Sequence, residues 1–225
     1  SALLDDRFFL NYCTFGYTMV WWQWRDWERL IDWMALNGVT LPLAITGQEA
    51  VWARVWQKLG LTDEQVRSYF TGPAHLPWHR MSNLDYWQSP LPQSWLDAQV
   101  ELQKRIVARE RELNMKPVLP AFAGHVPAEL GEIYPEAKIS RMSKWGGFED
   151  RYRSHFLDPL DPLFQWNAPV IHHPDLAVQH KPRRSSGIRH ADLTARLQRI
   201  QVSRHPGQQF PNHRHIQLVM KYLIA

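Results

Sequence analysis

Side chains able to hold a sugar follow the predicted strands of this sequence and occupy the long loops beyond them. They are Asn11, Cys13 and Tyr17 after the first strand, Gln48 after the second, His125 after the third, and Trp78 and Trp145 in the loops. Amide, phenol and imidazole groups hydrogen-bond hydroxyl and N-acetyl groups, while indole faces cover a sugar ring. Each also has a structural interpretation, because Asn11 can cap a turn, Tyr17 and Trp78 can belong to the core, and His125 can be satisfied within its loop. The residues alone leave both interpretations open.

Only one carboxylate, that of Glu49, stands directly at a predicted strand end. Hydrolysis of a glycoside normally uses two carboxyl groups, about 5–5.5 Å apart in retaining enzymes. Glu49 is a weak catalytic candidate, since a glutamate in the first turn of a helix also stabilises the helix N-terminus. We therefore predict no catalytic pair within these residues.

The sequence predicts neither a metal site nor a cofactor. His172-His173 and His213-Arg214-His215 lack a third ligand at helical spacing. The single cysteine, Cys13, excludes an internal disulfide and a cysteine-based zinc site.

Three apolar segments are predicted to be parallel strands. Arg7 to Thr14 is rich in aromatic residues, Val39 to Ile45 is a continuous apolar run, and Lys116 to Phe122 is the third. Helical segments lie between them, so the order is strand, helix, strand, two helices, strand. This alternation predicts an α/β fold of parallel βα units, without distinguishing a barrel from an open sheet. Ligands of such sheets bind at the carboxyl ends of the strands, where the candidate residues lie.

Helical periodicity and capping residues locate the helices between the strands. The first helix has one apolar face, formed by Trp27, Leu30, Ile31 and Met34. Asn37-Gly38 ends it, and Thr46 is predicted to cap the next helix with Glu49 at the capping-box spacing. A short helix is predicted from Thr62 to Ser68, and a longer one from Trp95 to Leu113.

The net charge of +4 hides a break in composition near residue 165. Residues 166–225 carry nine lysines or arginines against two acids, which leaves 17 basic and 20 acidic residues in the first 165. Seven of the eleven histidines, but only one of the twelve tryptophans, lie in 166–225. We predict a folded domain over residues 1–165 and a basic, mostly disordered tail over 166–225.

No run of eighteen apolar residues predicts a transmembrane helix, so no membrane partner is expected. Residues 1–6 lack the basic and apolar regions of a signal peptide. Because the chain starts without Met, it is interpreted as a piece of a longer protein. Compartment and oligomeric state stay undetermined at this level.

Several long motifs stand in the order found in one known family. They are Asn11-Tyr12-Cys13-Thr14, Trp21-Trp22, Ile31 to Gly38, Gly47-Gln48-Glu49-Ala50, Phe70 to Ala74, Pro117 to Pro127 and Lys144-Trp145-Gly146. They resemble the α-N-acetylglucosaminidases of glycoside hydrolase family 89, almost continuously from Arg7 to Phe164.

The resemblance implies a (β/α)8 TIM-type barrel between a small N-terminal and a helical C-terminal domain, of which this chain has about the first three βα units. It implies retaining, exo-acting hydrolysis of terminal α-linked N-acetylglucosamine, with a glycan ending in that sugar as partner. It implies a sugar pocket drawing on Asn11, Cys13, Tyr17, Trp78 and Trp145. Members of the family are secreted or periplasmic in bacteria and lysosomal in animals.

Two departures from the family pattern follow. The acid/base glutamate of the family stands in a Phe-Asn-Glu motif after the fourth strand and the nucleophile lies further on, whereas this sequence has no Asn-Glu dipeptide. From Trp166 onward the sequence no longer resembles the family, as after a reading-frame change or a wrongly joined gene. We therefore expect the chain by itself to be an inactive fragment.

The alternative function is a non-catalytic polyanion or nucleic-acid binder that uses the basic tail. Clustered lysines and arginines would neutralise phosphates, with affinity falling steeply as salt rises. The tail, however, has few and scattered aromatics and no helical stripe of arginines, so nucleic acid is the less favoured partner.

Overall fold

The computed structural model describes residues 5–164 of the chain. The strands are β1 (Phe8–Phe9), β2 (Leu41–Pro42), β3 (His125–Val126), β4 (Ile139–Arg141) and β5 (His155–Leu157). The helices are α1 (Thr14–Tyr17), α2 (Trp24–Leu36), α3 (Gln48–Lys58), α4 (Asp63–Tyr69), α5 (Leu76–Arg80), α6 (Gln93–Glu112) and α7 (Leu130–Ile133), with 3₁₀ turns at Met19–Trp21, Pro73–His75 and Asp150–Tyr152. The predicted tail and its histidine motifs lie outside the described residues.

Three chain segments run parallel in the predicted order. β1 pairs in parallel with β2, Phe8 opposite Leu41. The residue after β2, Leu43, forms a parallel bridge with Val118. The amide of Val118 donates to the carbonyl of Pro42 at 2.8 Å, and that of Ala44 donates to the carbonyl of Val118 at 2.9 Å. The prediction of an α/β fold is confirmed, and the carboxyl ends of all three segments face one edge.

A second, antiparallel sheet was not predicted from the sequence. Its order is β3-β5-β4, with His125 opposite Phe156 and Ser140 also opposite Phe156 on the other side. Strands of two or three residues are too short to show apolar alternation, so sequence periodicity does not reveal them.

The helix predicted around Trp27 and Ile31 is α2, and both residues are fully buried. A capping box of Gln23 and Asp26 begins it, because Asp26 accepts a hydrogen bond from the Gln23 amide at 3.0 Å. Gly38 follows its last turn with φ of +70°, and a β-carbon there would collide with the guanidinium of Arg7. The positive φ favours glycine at the position where the chain turns from α2 into β2.

The capping box predicted at Thr46 and Glu49 is wrong. Gly47, with φ of +74°, is the N-cap of α3, and no side chain caps it. Glu49 is 1% exposed and turns inward to Arg80, because a buried carboxylate must be paired. The two other predicted helices are confirmed as α4 and α6, and Thr62 caps α4 as part of a capping box.

Two apolar cores hold these layers together. One lies among α2, the parallel segments and α6, with Ile31, Met34, Ile45, Ile106 and Met115. The other lies among α3, α4 and the antiparallel sheet, with Trp56, Tyr69, Phe70, Val126 and Leu157. Within residues 5–164, none of the helices combines the length and the apolar composition that a membrane span needs.

Candidate active site

Helix α1, directly after β1, packs on helix α5, which lies in the long loop after α4. A glycine makes this contact possible: a β-carbon on Gly16 would lie 2.5 and 2.7 Å from two atoms of the Trp78 ring. Trp78 is half-buried, whereas Leu76, Pro77 and His79 beside it are buried. The contact between α1 and α5 thus places Trp78 against α1, the helix that carries Tyr17.

Trp145, far along the chain, meets Trp78. Their ring centroids are 6.3 Å apart and the planes are inclined by 38°. Trp145 is stacked on Phe148, with ring centroids 5.4 Å apart. The rings of Phe148 and Trp87 are in a T-shaped contact, with centroids 4.9 Å apart. A continuous aromatic wall therefore backs the Trp78–Trp145 pair.

The other predicted sugar contacts lie on and beside α1. Tyr17 is 68% exposed, and the sulfur of Cys13 is 3.8 Å from that of Met81, one residue after α5. Asn11 is exposed; its Oδ1 accepts a hydrogen bond from the amide of Thr14 at 3.1 Å, the turn-capping role considered above. Within residues 5–164 the side-chain amide of Asn11 donates no hydrogen bond, so its two N–H groups are free for a ligand. These three residues and the tryptophan pair are called the rim below.

A buried ion pair ties α5 to α3. Arg80 donates from Nε to Oε1 of Glu49 at 2.6 Å and from Nη2 to Oε2 at 2.9 Å, with side chains 5% and 1% exposed. Both oxygens of Glu49 are engaged, so the weak catalytic candidate holds structure together instead of facing a substrate. Burial raises the pKa of Tyr12, opposed by Arg80 and reinforced by Glu49, which places this phenol beside the pair.

His125 does not lie on the rim. Its side chain is 3% exposed, and Nε2 is 2.8 and 3.0 Å from the two oxygens of Asp85. Asp85 also lies 3.0 Å from Nδ1 of His79. The prediction that His125 contacts a sugar is replaced by a buried His79–Asp85–His125 network, because an imidazole enclosed in this way presents no nitrogen to the surface.

The three members of this network carry the donor atoms that zinc takes in proteins, and they are a possible ligand cluster among the described residues. Nδ1 of His79, however, lies 3.2 Å from the carbonyl oxygen of Leu84 as well as 3.0 Å from Asp85. A nitrogen between two acceptors carries a proton, and a protonated nitrogen offers no lone pair to a metal. The geometry therefore favours hydrogen bonds over metal ligation.

Sequence reasoning missed Arg80, His79 and Asp85. All three fall in the segment around Trp78, which the sequence predicts to be a long loop but which contains α5. The available signal was the pair of polar residues, His79 and Arg80, that directly follows Trp78. A cavity of about 430 Å³ lies elsewhere, between α3 and α6, and is lined by none of the rim residues.

The described residues thus form a parallel α/β unit in which two half-buried tryptophans and an exposed phenol lie in segments beyond the strands. Comparisons with known proteins identify the family. The family model of the α-N-acetylglucosaminidase (NAGLU) TIM-barrel domain matches residues 7–171, past the boundary predicted at 165. The chain belongs to this family.

A curated relative, human α-N-acetylglucosaminidase, is 50% identical over 159 residues, which are 70% of this chain and 21% of the relative. Among solved structures, a family 89 glycoside hydrolase from Clostridium perfringens in complex with PUGNAc matches with a TM-score of 0.70 and 34% identity, over 77% of this chain and 20% of that one. The same scores hold for the Clostridium perfringens protein in complex with 2-acetamido-1,2-dideoxynojirimycin, and for its variant with two Glu-to-Gln substitutions in complex with its substrate GlcNAc-α-1,4-galactose. This chain spans about a fifth of the length of these relatives.

Proposed function

We propose that residues 7–165 form the first three βα units of a (β/α)8 barrel and carry the sugar-binding rim of an exo-acting, retaining α-N-acetylglucosaminidase. The observation that carries the proposal is the contact between the rings of Trp78 and Trp145, which are 67 residues apart in the sequence. This contact lies beside α1, the helix that carries Tyr17. Two inclined indole rings offer an apolar surface that can cover one face of a sugar ring, while amide and phenol groups can hydrogen-bond its hydroxyl and N-acetyl groups.

The ligand is a glycan that ends in α-linked N-acetylglucosamine. The family membership supports this class, and the Clostridium perfringens relative is described with GlcNAc-α-1,4-galactose as its substrate. Asn11 and Tyr17 supply donors and an acceptor at the rim, and the tryptophans supply the apolar faces. No cofactor is required for this mode of binding.

Hydrolysis by the 225 residues alone is not expected. Cleavage with retention requires one carboxyl group to protonate the leaving oxygen and a second to attack the sugar carbon. The carboxylate of Glu49 is held by Arg80, and the sequence has no Asn-Glu dipeptide where the family pattern places its acid/base residue. Binding contacts without these groups give little rate acceleration, because they stabilise substrate and transition state alike.

The test is a titration of the 225-residue chain with GlcNAc-α-1,4-galactose, in which binding is measured by isothermal titration calorimetry. Trp78→Ala and Trp145→Ala should each weaken binding by about tenfold, or about 1.4 kcal/mol. The matched control is Trp33→Ala, since Trp33 is 48% exposed on α2 and is not a rim residue. If Trp33→Ala weakened binding as much as the rim variants, or galactose alone bound equally well, the rim would not be the sugar site.

A further inference from the structure

Asp85 lies at the junction of the elements that carry the two rim tryptophans. Its carboxylate accepts hydrogen bonds from His79, the neighbour of Trp78 on α5, and from His125 on β3. Its backbone amide donates to the carbonyl oxygen of Tyr152 at 3.0 Å. Asp85 thus contacts the helix that bears Trp78, strand β3 of the antiparallel sheet, and the segment between β4 and β5 that bears Trp145.

The link from Asp85 to Trp145 is short. Trp145 lies in the loop between β4 and β5, which is closed by a hydrogen bond from the amide of Met142 to the carbonyl of Ser154 at 2.8 Å. Tyr152 belongs to that loop, and its ring meets Trp87 edge-on at 5.0 Å. β5 pairs with β3 at His125, so the loop is fixed to Asp85 through its backbone and through the sheet.

The network is enclosed, and the carboxylate of Asp85 within it is ionised. Asp85 and His79 are 0% exposed, and the Tyr69 ring lies 4.7 Å from that of His79 and 5.3 Å from that of His125. Burial opposes ionisation of Asp85, but attraction to His125 and hydrogen bonds from both histidines outweigh it and lower the pKa of Asp85 to about 2. Burial lowers the pKa of His125 despite its attraction to Asp85. Asp85 is therefore ionised and accepts hydrogen bonds from both rings, and His125 is neutral with its proton on the nitrogen that faces Asp85.

We propose that His79, Asp85 and His125 are positioning residues that set the distance and inclination of the Trp78–Trp145 pair, and so the shape of the apolar surface that the pair offers to a sugar. The proposal rests on the proposed sugar-binding function. Neither histidine touches the ligand; each acts through its own element. Nε2 of His79 and Nδ1 of His125 have no hydrogen-bond partner within residues 5–164, so Asp85 is the shared acceptor that orients both rings.

The experiment uses the full 225-residue chain labelled with 5-fluorotryptophan. Fluorine resonances of Trp78 and Trp145 are assigned with Trp78→Phe and Trp145→Phe. The variants are Asp85→Asn, His125→Leu and His125→Gln, since the amide group of glutamine can donate from near the position of Nε2 and leucine cannot. The control is Leu130→Ala, a core truncation on α7 chosen because Leu130 is 0% exposed and is not a member of the network.

Asp85→Asn and His125→Leu are expected to shift or broaden both tryptophan resonances and to weaken binding of GlcNAc-α-1,4-galactose by about tenfold. His125→Gln should restore both readouts towards wild type. Leu130→Ala should lower stability and leave both resonances in place. If Asp85→Asn does not fold, the comparison of leucine with glutamine at position 125 decides.

Three outcomes would overturn the proposal. In the first, Asp85→Asn and His125→Leu lose stability like Leu130→Ala without moving either resonance, which is a purely structural role. In the second, His125→Gln is as damaging as His125→Leu. In the third, the purified chain holds one equivalent of zinc by elemental analysis, which makes the cluster a metal site. If the wild-type chain does not bind the disaccharide, the proposed function fails, while the resonances still test the network independently.

Discussion

Glu49 and Arg80 form a bidentate ion pair in which both side chains are at least 95% buried. They lie at the start of α3 and the end of α5, so the pair joins the element that follows β2 to the helix that bears Trp78. A buried charge left without its partner is strongly unfavourable, because the low dielectric interior does not solvate it.

Removing one partner should therefore destabilise the fold more than removing both. Glu49→Ala is expected to lower the free energy of unfolding by about 3–5 kcal/mol, and Glu49→Leu combined with Arg80→Met should recover much of that loss. Urea unfolding followed by tryptophan fluorescence measures both. The control is Glu101→Ala, which removes an exposed pair with Lys104 and should change stability by less than about 1 kcal/mol. Equal losses in Glu49→Ala and Glu101→Ala would show that the pair has no structural role.

Gly16 should determine the position of Trp78. A β-carbon at residue 16 would lie 2.5 Å from the Trp78 ring, so Gly16→Ala must displace the ring or α1. Calorimetry should show binding of GlcNAc-α-1,4-galactose weakened by about tenfold. Gly131→Ala is the matched control, because its β-carbon would meet only Ile139, at an ordinary 3.7 Å. Unchanged affinity in Gly16→Ala would show that the position of Trp78 does not determine sugar binding.

Glu110 should make the protein less stable as pH rises. Burial, opposed by Arg111, raises the pKa of Glu110 to about 8, and its Oε2 has no hydrogen-bond partner within the described part of the chain. Its pKa in the unfolded chain is about 4.3, so the folded state binds the extra proton between these values. Stability from this group is full below about pH 4 and is lost progressively as pH rises towards 8.

Glu110→Gln removes that loss. Its unfolding free energy, relative to wild type, should increase between pH 5 and pH 8, by about 1.4 kcal/mol for each unit of pKa shift that the buried group retains. Urea unfolding at pH 5, 6, 7 and 8 gives the comparison. Glu112→Gln on the same helix removes a carboxylate that is 65% exposed and should give a nearly constant difference. A constant difference for Glu110→Gln as well would contradict the raised pKa.

The basic tail should be dispensable for sugar binding. Removal of residues 166–225, which carry a net charge of +7, is expected to abolish retention on heparin and on oligonucleotide resins at low salt. Affinity for the disaccharide should stay within about twofold of that of the full chain. Retention by the full chain that survives physiological salt and favours one polyanion would instead support the alternative of a polyanion-binding protein.

Local patterns in the sequence were sufficient to predict the longer elements. The apolar spacing of Trp27, Ile31 and Met34 identifies α2, since periodicity over three turns is a property of the helix itself. The sequence likewise predicts the three parallel segments and the tryptophans of the rim. The resemblance to family 89 adds the expectation that Cys13 contributes to the sugar pocket.

Contacts between distant residues account for what was not predicted. Thr46 and Glu49 have the spacing of a capping box, but Arg80, 31 residues further on, binds Glu49 instead. The bond from His125 to Asp85 spans 40 residues and leaves no local signal, so His125 was assigned to the sugar site. Burial of a polar side chain depends on what the fold brings next to it, which residue type and spacing do not specify.

We propose that the chain binds the terminal sugar and does not cleave it. Proton NMR of GlcNAc-α-1,4-galactose with the 225-residue chain reports both events in one sample. We predict saturation transfer to the N-acetylglucosamine protons that is lost in Trp78→Ala, with no appearance of free N-acetylglucosamine. Steady release of N-acetylglucosamine that is abolished by Glu49→Gln, or absence of saturation transfer in the wild-type chain, would contradict the account.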